Sequence, residues 1–401
     1  MLSCFRLNIA LSLSPSGHLT LPSALCHLHR DDHHRDLMTR FNLVLFAICL
    51  VLPALFGSDI VNAEPYLAIK TGAKCSSCHV NQTGGGKRNT TGVVFGQTAL
   101  SARPPVSLWT PDSENRLSVG TDLRANASNV SIPNQTDVLE FELEEALLYA
   151  EAELIKDWIS LYADQRIAPG GSFNREAFGL FQHSKDGNDF YAKAGRFFLP
   201  FGFRLEDDTA FIRQVTGFNF DNPDTGIEFG FDRDKITANL AISNGTSGAA
   251  EVDRGKQLSL RSSYVESNWR VGGNFNFNDA EAANRIIGGV FGGVRTGPVQ
   301  LLGELAFVRD DFEAGGEQDQ MILFTEANIG WRQGHNIKLT YEHLDPDLDI
   351  DENEQNRVST QYEYFPIQFV QLTGGLRFSD GIPQIDSDNT SEAFLQLHLY
   401  F

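Results

Sequence analysis

Methionine is nearly absent. The 401-residue chain has three, and beyond residue 63 only Met321, so a thioether ligand or a Met-rich binding surface has almost no material. Cysteine is as restricted: Cys4, Cys26 and Cys49 fall in the first fifty residues, which leaves Cys75 and Cys78 for the rest of the chain. One pair builds neither a four-Cys zinc site nor a disulfide framework. Basic charge is in deficit, 32 Lys and Arg against 52 Asp and Glu for a net −20. That excludes the basic footprint of a nucleic-acid binder and leaves acidic surface loops or a demand for cations. Long apolar runs are missing too. Mean hydropathy is −0.22 although 41% of residues are hydrophobic, so the apolar residues are diluted by alternation and not gathered into spans.

The one apolar run, from Phe41 to Phe56, is too short to span comfortably. It follows Arg40 and leads to Val61-Asn62-Ala63, with small residues at the −3 and −1 positions. Residues 38–63 read as a secretory signal that starts at Met38 and is cleaved before Glu64. Residues 1–37, with His27, His29, His33 and His34, read as an upstream extension outside the native protein and not as a metal tract.

From about residue 115 the chain alternates with period 2. In 235–243, Ile236, Ala238, Leu240 and Ile242 oppose Thr237, Asn239, Ala241 and Ser243. In 269–277, Trp269, Val271, Phe275 and Phe277 oppose Arg270, Asn274 and Asn276. In 368–378, Val370, Leu372, Leu376 and Phe378 oppose Gln371, Thr373 and Arg377. Strands of about nine to eleven residues suit a tilted membrane crossing, and aromatics near their ends suit the girdles of outer-membrane barrels. Connections alternate long (379–390, 346–356, 310–319, 279–284, 244–256) and short (Pro366, 332–334, 296–297, 266–267, 233–234). Further strands fall near 226–232, 190–198, 175–182, 157–166, 137–153 and 115–124. The reading is all-β: an antiparallel outer-membrane barrel of about sixteen strands over 113–401, short turns and both ends in the periplasm. Residues 199–225 make one long outer loop that folds inward. The terminal Phe401 resembles the assembly signal of bacterial barrels, and "AGRFFLPFG" (194–202) resembles a segment of phosphate-selective-type porins.

Residues 64–112 carry the chemistry. Cys75, Cys78 and His79 form C-x-x-C-H, the attachment signal for one covalent haem c. Two thiols on one turn reach the two vinyl groups, and the following His lies under the iron as proximal ligand. A redox dithiol lacks its βαβ context, and a zinc site lacks partner cysteines. About fifty residues rich in Gly, Thr and Asn are too few to bury a core around a haem. A sixteen-stranded barrel leaves a lumen that holds a plug. The expected arrangement puts the haem peptide in the periplasmic mouth, sheathed by the barrel, with the glycines of "TGGGKRNTTG" allowing a tight path near the porphyrin.

This combination resembles the fused monohaem cytochrome–porins of the outer membrane, which include the iron-oxidising outer-membrane cytochromes. The resemblance rests on "YLAIKTGAKCSSCHVN" (66–81), Phe95-Gly96 and the barrel that follows. It implies that Cys75 and Cys78 hold the haem and that His79 ligates it. It also implies that electrons pass from an extracellular donor, Fe(II) in characterised members, to a periplasmic c-type cytochrome, with lipid around the barrel and no nucleic acid involved.

For the sixth iron ligand, Met321, His335 and His343 sit on lipid-facing parity. His398 alternates with Gln396 on the lumen face near the periplasmic end and is the speculative distal ligand; Lys70, Lys74, Lys87 or an open site are alternatives. The acidic stretches 309–320 and 345–355 read as solvated outer loops, or as a cation funnel. Three function classes follow: an electron conduit, a solute porin plugged or regulated by the haem segment, and a peroxidase-like enzyme, which lacks a local acid–base His.

Overall fold

The structure, a computed structural model, describes residues 64–110, 116–381 and 389–401. The expected secretory signal and upstream extension lie outside these residues.

Sixteen antiparallel strands close into one barrel. They are β1 (Leu117–Ser131), β2 (Val138–Ile155), β3 (Ile159–Ala168), β4 (Phe173–Lys185), β5 (Asn188–Phe197), β6 (Asp224–Arg233), β7 (Ile236–Ser243), β8 (Gln257–Val265), β9 (Trp269–Asp279), β10 (Ala283–Thr296), β11 (Val299–Phe312), β12 (Glu317–Arg332), β13 (His335–Asp345), β14 (Gln355–Tyr364), β15 (Val370–Asp380) and β16 (Thr390–Tyr400). Each strand pairs with its sequence neighbours, and β1 closes on β16 in the register Asp122↔Tyr400 to Ser131↔Ser391. Closure leaves no edge, the condition for strands in lipid.

Alternation sets the two faces. On β7, Ile236, Leu240 and Ile242 point outward and are exposed, while Thr237, Asn239 and Ser243 are buried inside. On β16, Leu395, Leu397 and Leu399 face out and His398 faces in. His335, His343 and Met321 lie on the outward parity of β13 and β12. The apolar outer face is that of a membrane-spanning barrel.

Seven connections of two to five residues ring one mouth, and the other mouth carries connections that range from three residues (280–282) to the long inward loop 198–223. An aromatic belt follows the short-turn rim: Trp158 meets Phe181, Trp269 stacks on Tyr264, and Trp331 tilts against His335. Both barrel ends, Leu117 and Tyr400, lie at this mouth. Two expected long loops are short. The chain turns at 280–282 and 313–316, because β10, β11 and β12 run on beyond the apolar band. Cross-strand charge pairs zip these extensions: Arg285 with Asp310 at 3.1 Å and Arg309 with Asp319 at 2.5 Å. The expected strand length of nine to eleven residues also gives way to a range of 8 to 18.

The lumen is full. Residues 64–110 enter from the short-turn mouth, and the connection 198–223 folds in from the opposite end. The helix α1 (Pro65–Thr71) begins with Pro and ends at Gly72 in the left-handed conformation, φ 65°, an ordinary start and stop for a short helix. A 3₁₀ turn follows at Cys75–Ser77, then α2 (Thr90–Phe95) and a π-turn (Gly96–Leu100). The inward loop carries α3 (Phe211–Thr216).

One sector of the wall departs from the polar lumen expected of a porin. Ile287, Phe291, Leu302, Ala306, Ile322, Phe324 and Leu344 on β10–β13 point inward and are buried under Tyr66, Leu67 and Ile69 of α1 and Phe201, Phe203, Leu205 and Ile212 of the loop. Each such side chain contributes about 1.5–3 kcal/mol, so apolar burial against this sector holds the segment. Tyr66 adds a hydrogen bond, its hydroxyl donating to Glu363 Oε2 at 3.0 Å. Tyr66→Ala is expected to cost about 3–5 kcal/mol of docking and to leave the barrel closed. Limited proteolysis should then cut residues 64–110 while the barrel keeps its heat-modifiable mobility in detergent gels; an uncut segment would show that other contacts suffice.

Candidate functional site

The C-x-x-C-H sequence is wound on one turn. The amides of Cys78 and His79 both donate to Cys75 O at 3.1 Å. The strand-like bridge His79↔Arg88 then fixes the backbone of the motif, with Val80 N donating to Lys87 O at 3.0 Å and Asn89 N to Cys78 O at 3.0 Å. Between the arms of this bridge the chain reverses through Gly84, Gly85 and Gly86, all at positive φ (94°, 75°, 64°). A Cβ at Gly86 would lie 2.3 Å from the Tyr162 hydroxyl, and one at Gly84 3.3 Å from Cys75 Sγ. The glycine run therefore lets the turn press against the β3 wall and leaves the space beside the sulfur open.

Cys75, Cys78 and His79 line one cavity between the segment and the wall, with about 1100 Å³ of empty space including its open side. Phe95 and Phe203 supply apolar surface; Arg88, Arg204, Arg261 and Arg270 supply charge. Both thiols are free and half-buried. Burial, and then the neighbouring Cys75, raise the Cys78 thiol above its ordinary value. Burial, with the Arg88 guanidinium next, lowers His79 to about 4, so the imidazole is neutral at neutral pH, the form that binds metal. Its Nδ1 is buried without a hydrogen-bond partner of ordinary geometry among the described residues. A buried, neutral, under-satisfied imidazole beside two free thiols and a mixed apolar and cationic cavity fits a covalently held haem.

The segment is pinned near the motif by a buried polar cluster. Asn81 donates to both oxygens of Glu176, at 2.8 and 3.1 Å, and accepts from Lys193 Nζ at 3.3 Å. Glu176 also accepts from Phe198 N at 3.0 Å, which ties segment, wall and inward loop together. Lys193 is neutralised by Glu228 at 3.1 Å. Lys87 N donates to the Tyr162 hydroxyl at 3.0 Å. At the rim, Ala102 N donates to Phe365 O at 2.8 Å and Val106 N to Gln368 Oε1 at 3.0 Å.

The sequence-identified residues separate here. Cys75, Cys78 and His79 come together. His398 does not join them: it lines the adjoining lumen cavity, its Nε2 2.9 Å from Asp122 Oδ2 and its Nδ1 2.8 Å from Gln371 Oε1. Lys74 lines the Cys75–His79 cavity but pairs with Asp232 at 3.4 Å, and Lys87 pairs with Glu151 at 3.1 Å. Sequence reasoning missed the four arginines and the Asn81–Glu176 anchor. The inward parity of Arg270 was readable; the wall sector facing the motif was not.

No family model matches the chain, and no curated protein matches it. Solved structures match by fold. An anion-selective porin from Comamonas acidovorans aligns with TM-score 0.56 at 11% identity, covering 71% of this chain and 99% of its own. OmpT, an outer-membrane protein of Vibrio cholerae, aligns with TM-score 0.56 at 11% identity over 73% of this chain and 99% of its own. The outer-membrane channel DcaP of Acinetobacter baumannii aligns with TM-score 0.54 at 10% identity over 71% and 97%. The chain therefore has the closed-barrel fold of outer-membrane porins.

Glu176→Ala would leave Asn81 and the Phe198 amide without a buried acceptor, at about 2–3 kcal/mol in all. In haem-free protein, alkylation of Cys75 and Cys78 is expected to speed up roughly 30- to 150-fold as the turn opens; equal rates in wild type and variant would show that Glu176 does not hold it.

Proposed function

We propose that this chain is an outer-membrane barrel whose lumen houses one covalently attached c-type haem and conducts single electrons through the wall of the cell. The carrying observation is that Cys75, Cys78 and His79 converge on one cavity inside a porin-type barrel. A haem held there supplies a one-electron ferric/ferrous couple. Cys75 and Cys78 would hold it through thioethers to its two vinyl groups, and His79 would offer a neutral ring nitrogen to its iron. The inward loop and the β2–β5 wall, with Val80, Tyr162 and Phe178 packed together, exclude water from one side and stiffen the motif.

On this reading the short-turn mouth faces the periplasm, where a c-type cytochrome accepts the electron, and the long-loop mouth faces outward. The donor is an extracellular reductant, with Fe(II) giving Fe(III) and one electron in the case the sequence resemblance suggests. Among the described residues, no His or Met other than His79 lines the cavity, and both ring nitrogens of His398 are engaged elsewhere. His398→Ala is therefore expected to leave the haem absorption spectrum unchanged; loss of a low-spin spectrum would make His398 the distal ligand after all.

A second reading, a solute channel, is favoured by the likeness to porins and by the adjoining lumen cavity, about 1650 Å³ with its open side, lined by Arg124, Glu144, Glu342, Arg377 and His398. The two separate by experiment. Mature protein from a host competent in cytochrome maturation is expected to be coloured, to lose its colour as Cys75→Ala/Cys78→Ala, and to be reduced by anaerobic Fe(II). It should show no discrete open steps in planar bilayers. Colourless protein with open steps would establish the channel and sink the conduit.

A further inference from the structure

Four arginines line the Cys75–His79 cavity without a carboxylate in ion-pair contact. Arg88 comes from the segment, Arg204 from the inward loop, Arg261 from β8 and Arg270 from β9. Among the described residues, no carboxylate lies within ion-pair distance of any of them. Their partners are neutral. Arg204 Nη2 donates to Thr83 Oγ1 at 3.1 Å and Phe198 O at 3.3 Å. Arg261 donates to Gly202 O at 2.9 Å and Asn239 Oδ1 at 3.4 Å. Arg270 Nη2 donates to Ala68 O at 2.5 Å and Ala73 O at 2.7 Å. Arg88 lies 4.4 Å over the Tyr400 ring, and Arg261 4.7 Å over Phe291. Arg261 and Arg270 are only 7% and 6% exposed, and the Nε atoms of Arg88 and Arg270 are buried with no partner.

Elsewhere in the lumen several buried cations meet a carboxylate, Lys193 with Glu228 at 3.1 Å, Arg357 with Glu342 at 2.7 Å, and Arg175 with Glu145, whereas Arg213 of the inward loop donates to the Phe218 carbonyl at 3.0 Å. The other charges lining this cavity are already taken. Glu206 pairs with Arg124 at 2.5 Å, Lys74 with Asp232, and Glu64 with Lys338. A buried charge without a counter-ion is costly, so two buried and two half-buried guanidiniums around one cavity call for anionic groups inside it. Guanidinium forks match carboxylates, two bonds at a time.

We infer that Arg88, Arg204, Arg261 and Arg270 form a carboxylate clamp, and that it takes the two propionates of the haem that Cys75 and Cys78 hold. The inference rests on the haem reading above and adds an anchor for that group independent of the thioethers and His79. Because two of the four guanidiniums belong to barrel strands and one to the inward loop, the wall becomes part of the cofactor site and not merely its sheath. A free dicarboxylate solute shares the same chemistry, and the experiment separates the two sources.

The test uses the full-length haem-loaded protein as wild type, Arg261→Gln/Arg270→Gln and Arg261→Lys/Arg270→Lys. Resonance Raman spectra report the propionate bending band, and redox titration reports the midpoint potential. In the Gln pair the band is expected to shift and the potential to fall, since losing two positive charges favours the ferric state. In the Lys pair the potential should return toward wild type while the band stays displaced, because an ammonium lacks the fork. The Lys pair also keeps the test alive if the Gln pair loosens the segment, which Arg270 helps to hold. Coloured protein with band and potential unmoved in both pairs overturns the clamp and leaves the haem reading standing; colourless wild type overturns both. Succinate, titrated into haem-loaded wild type, should not bind. Saturable succinate binding that the Gln pair abolishes would assign the arginines to a free solute and overturn the propionate assignment.

Discussion

Everything in this molecule depends on closure of the β1–β16 seam. The ten-residue register from Asp122↔Tyr400 to Ser131↔Ser391 completes the cylinder, so every strand finds two neighbours and no backbone edge is left toward lipid. Closure also fixes the circumference, and sixteen strands enclose a lumen wide enough to take a folded segment. The seam joins the segment to the barrel as well. Tyr400, on the last strand, packs with Leu100 and Phe365, and its ring lies under Arg88. The last turn of the cylinder is thus also a wall of the compartment occupied by residues 64–110.

Inside that compartment the physics is uneven. On β10–β13 a cluster of inward apolar side chains lets the contents dock by burial. On β2–β6 a smaller apolar cluster around Val80 stands beside charged and hydrogen-bonded groups, and the contents dock there also through Asn81, Glu176 and Tyr162. The two modes do different work. Apolar burial supplies affinity without orientation, whereas the polar cluster sets the rotation of the turn that carries Cys75, Cys78 and His79, because donors and acceptors in a low-dielectric interior tolerate little misalignment. A segment of about fifty residues with no core of its own obtains both from the wall. The inward loop completes the arrangement: Phe201, Phe203 and Arg204 contact contents and wall together, so the lumen is divided into compartments and not simply narrowed.

Much of this was legible in the chain. Strand identity and facing at 235–243, 269–277 and 368–378 follow from period-2 alternation, and the alternation of connections implied an even, closed count. The convergence of Cys75, Cys78 and His79 was legible because C-x-x-C-H is local: one turn suffices to gather its three side chains. Strand ends were read too short at β1 and too early at 279–284 and 310–319, since charged residues there resemble loop and in fact pair across strands, as Arg285 does with Asp310. His398 was correctly placed on the lumen face of the last strand, but facing inward does not choose a partner, and Asp122 and Gln371 hold it.

The amino-acid order alone therefore determined which residues face lipid, which face the lumen, and that two thiols and an imidazole share one turn; each is a property of a two-residue or single-turn repeat. Only the tertiary structure decided that the inward face of β10–β13 is an apolar dock, that Glu176 meets Asn81, and that Arg204, Arg261 and Arg270 meet around the motif. Glu176, these arginines and the β10–β13 wall lie more than a hundred positions from Cys75. Which of them reach the same point depends on the register accumulated strand by strand around the closed cylinder, and on the path of a loop packed inside it, neither of which any short stretch of sequence encodes.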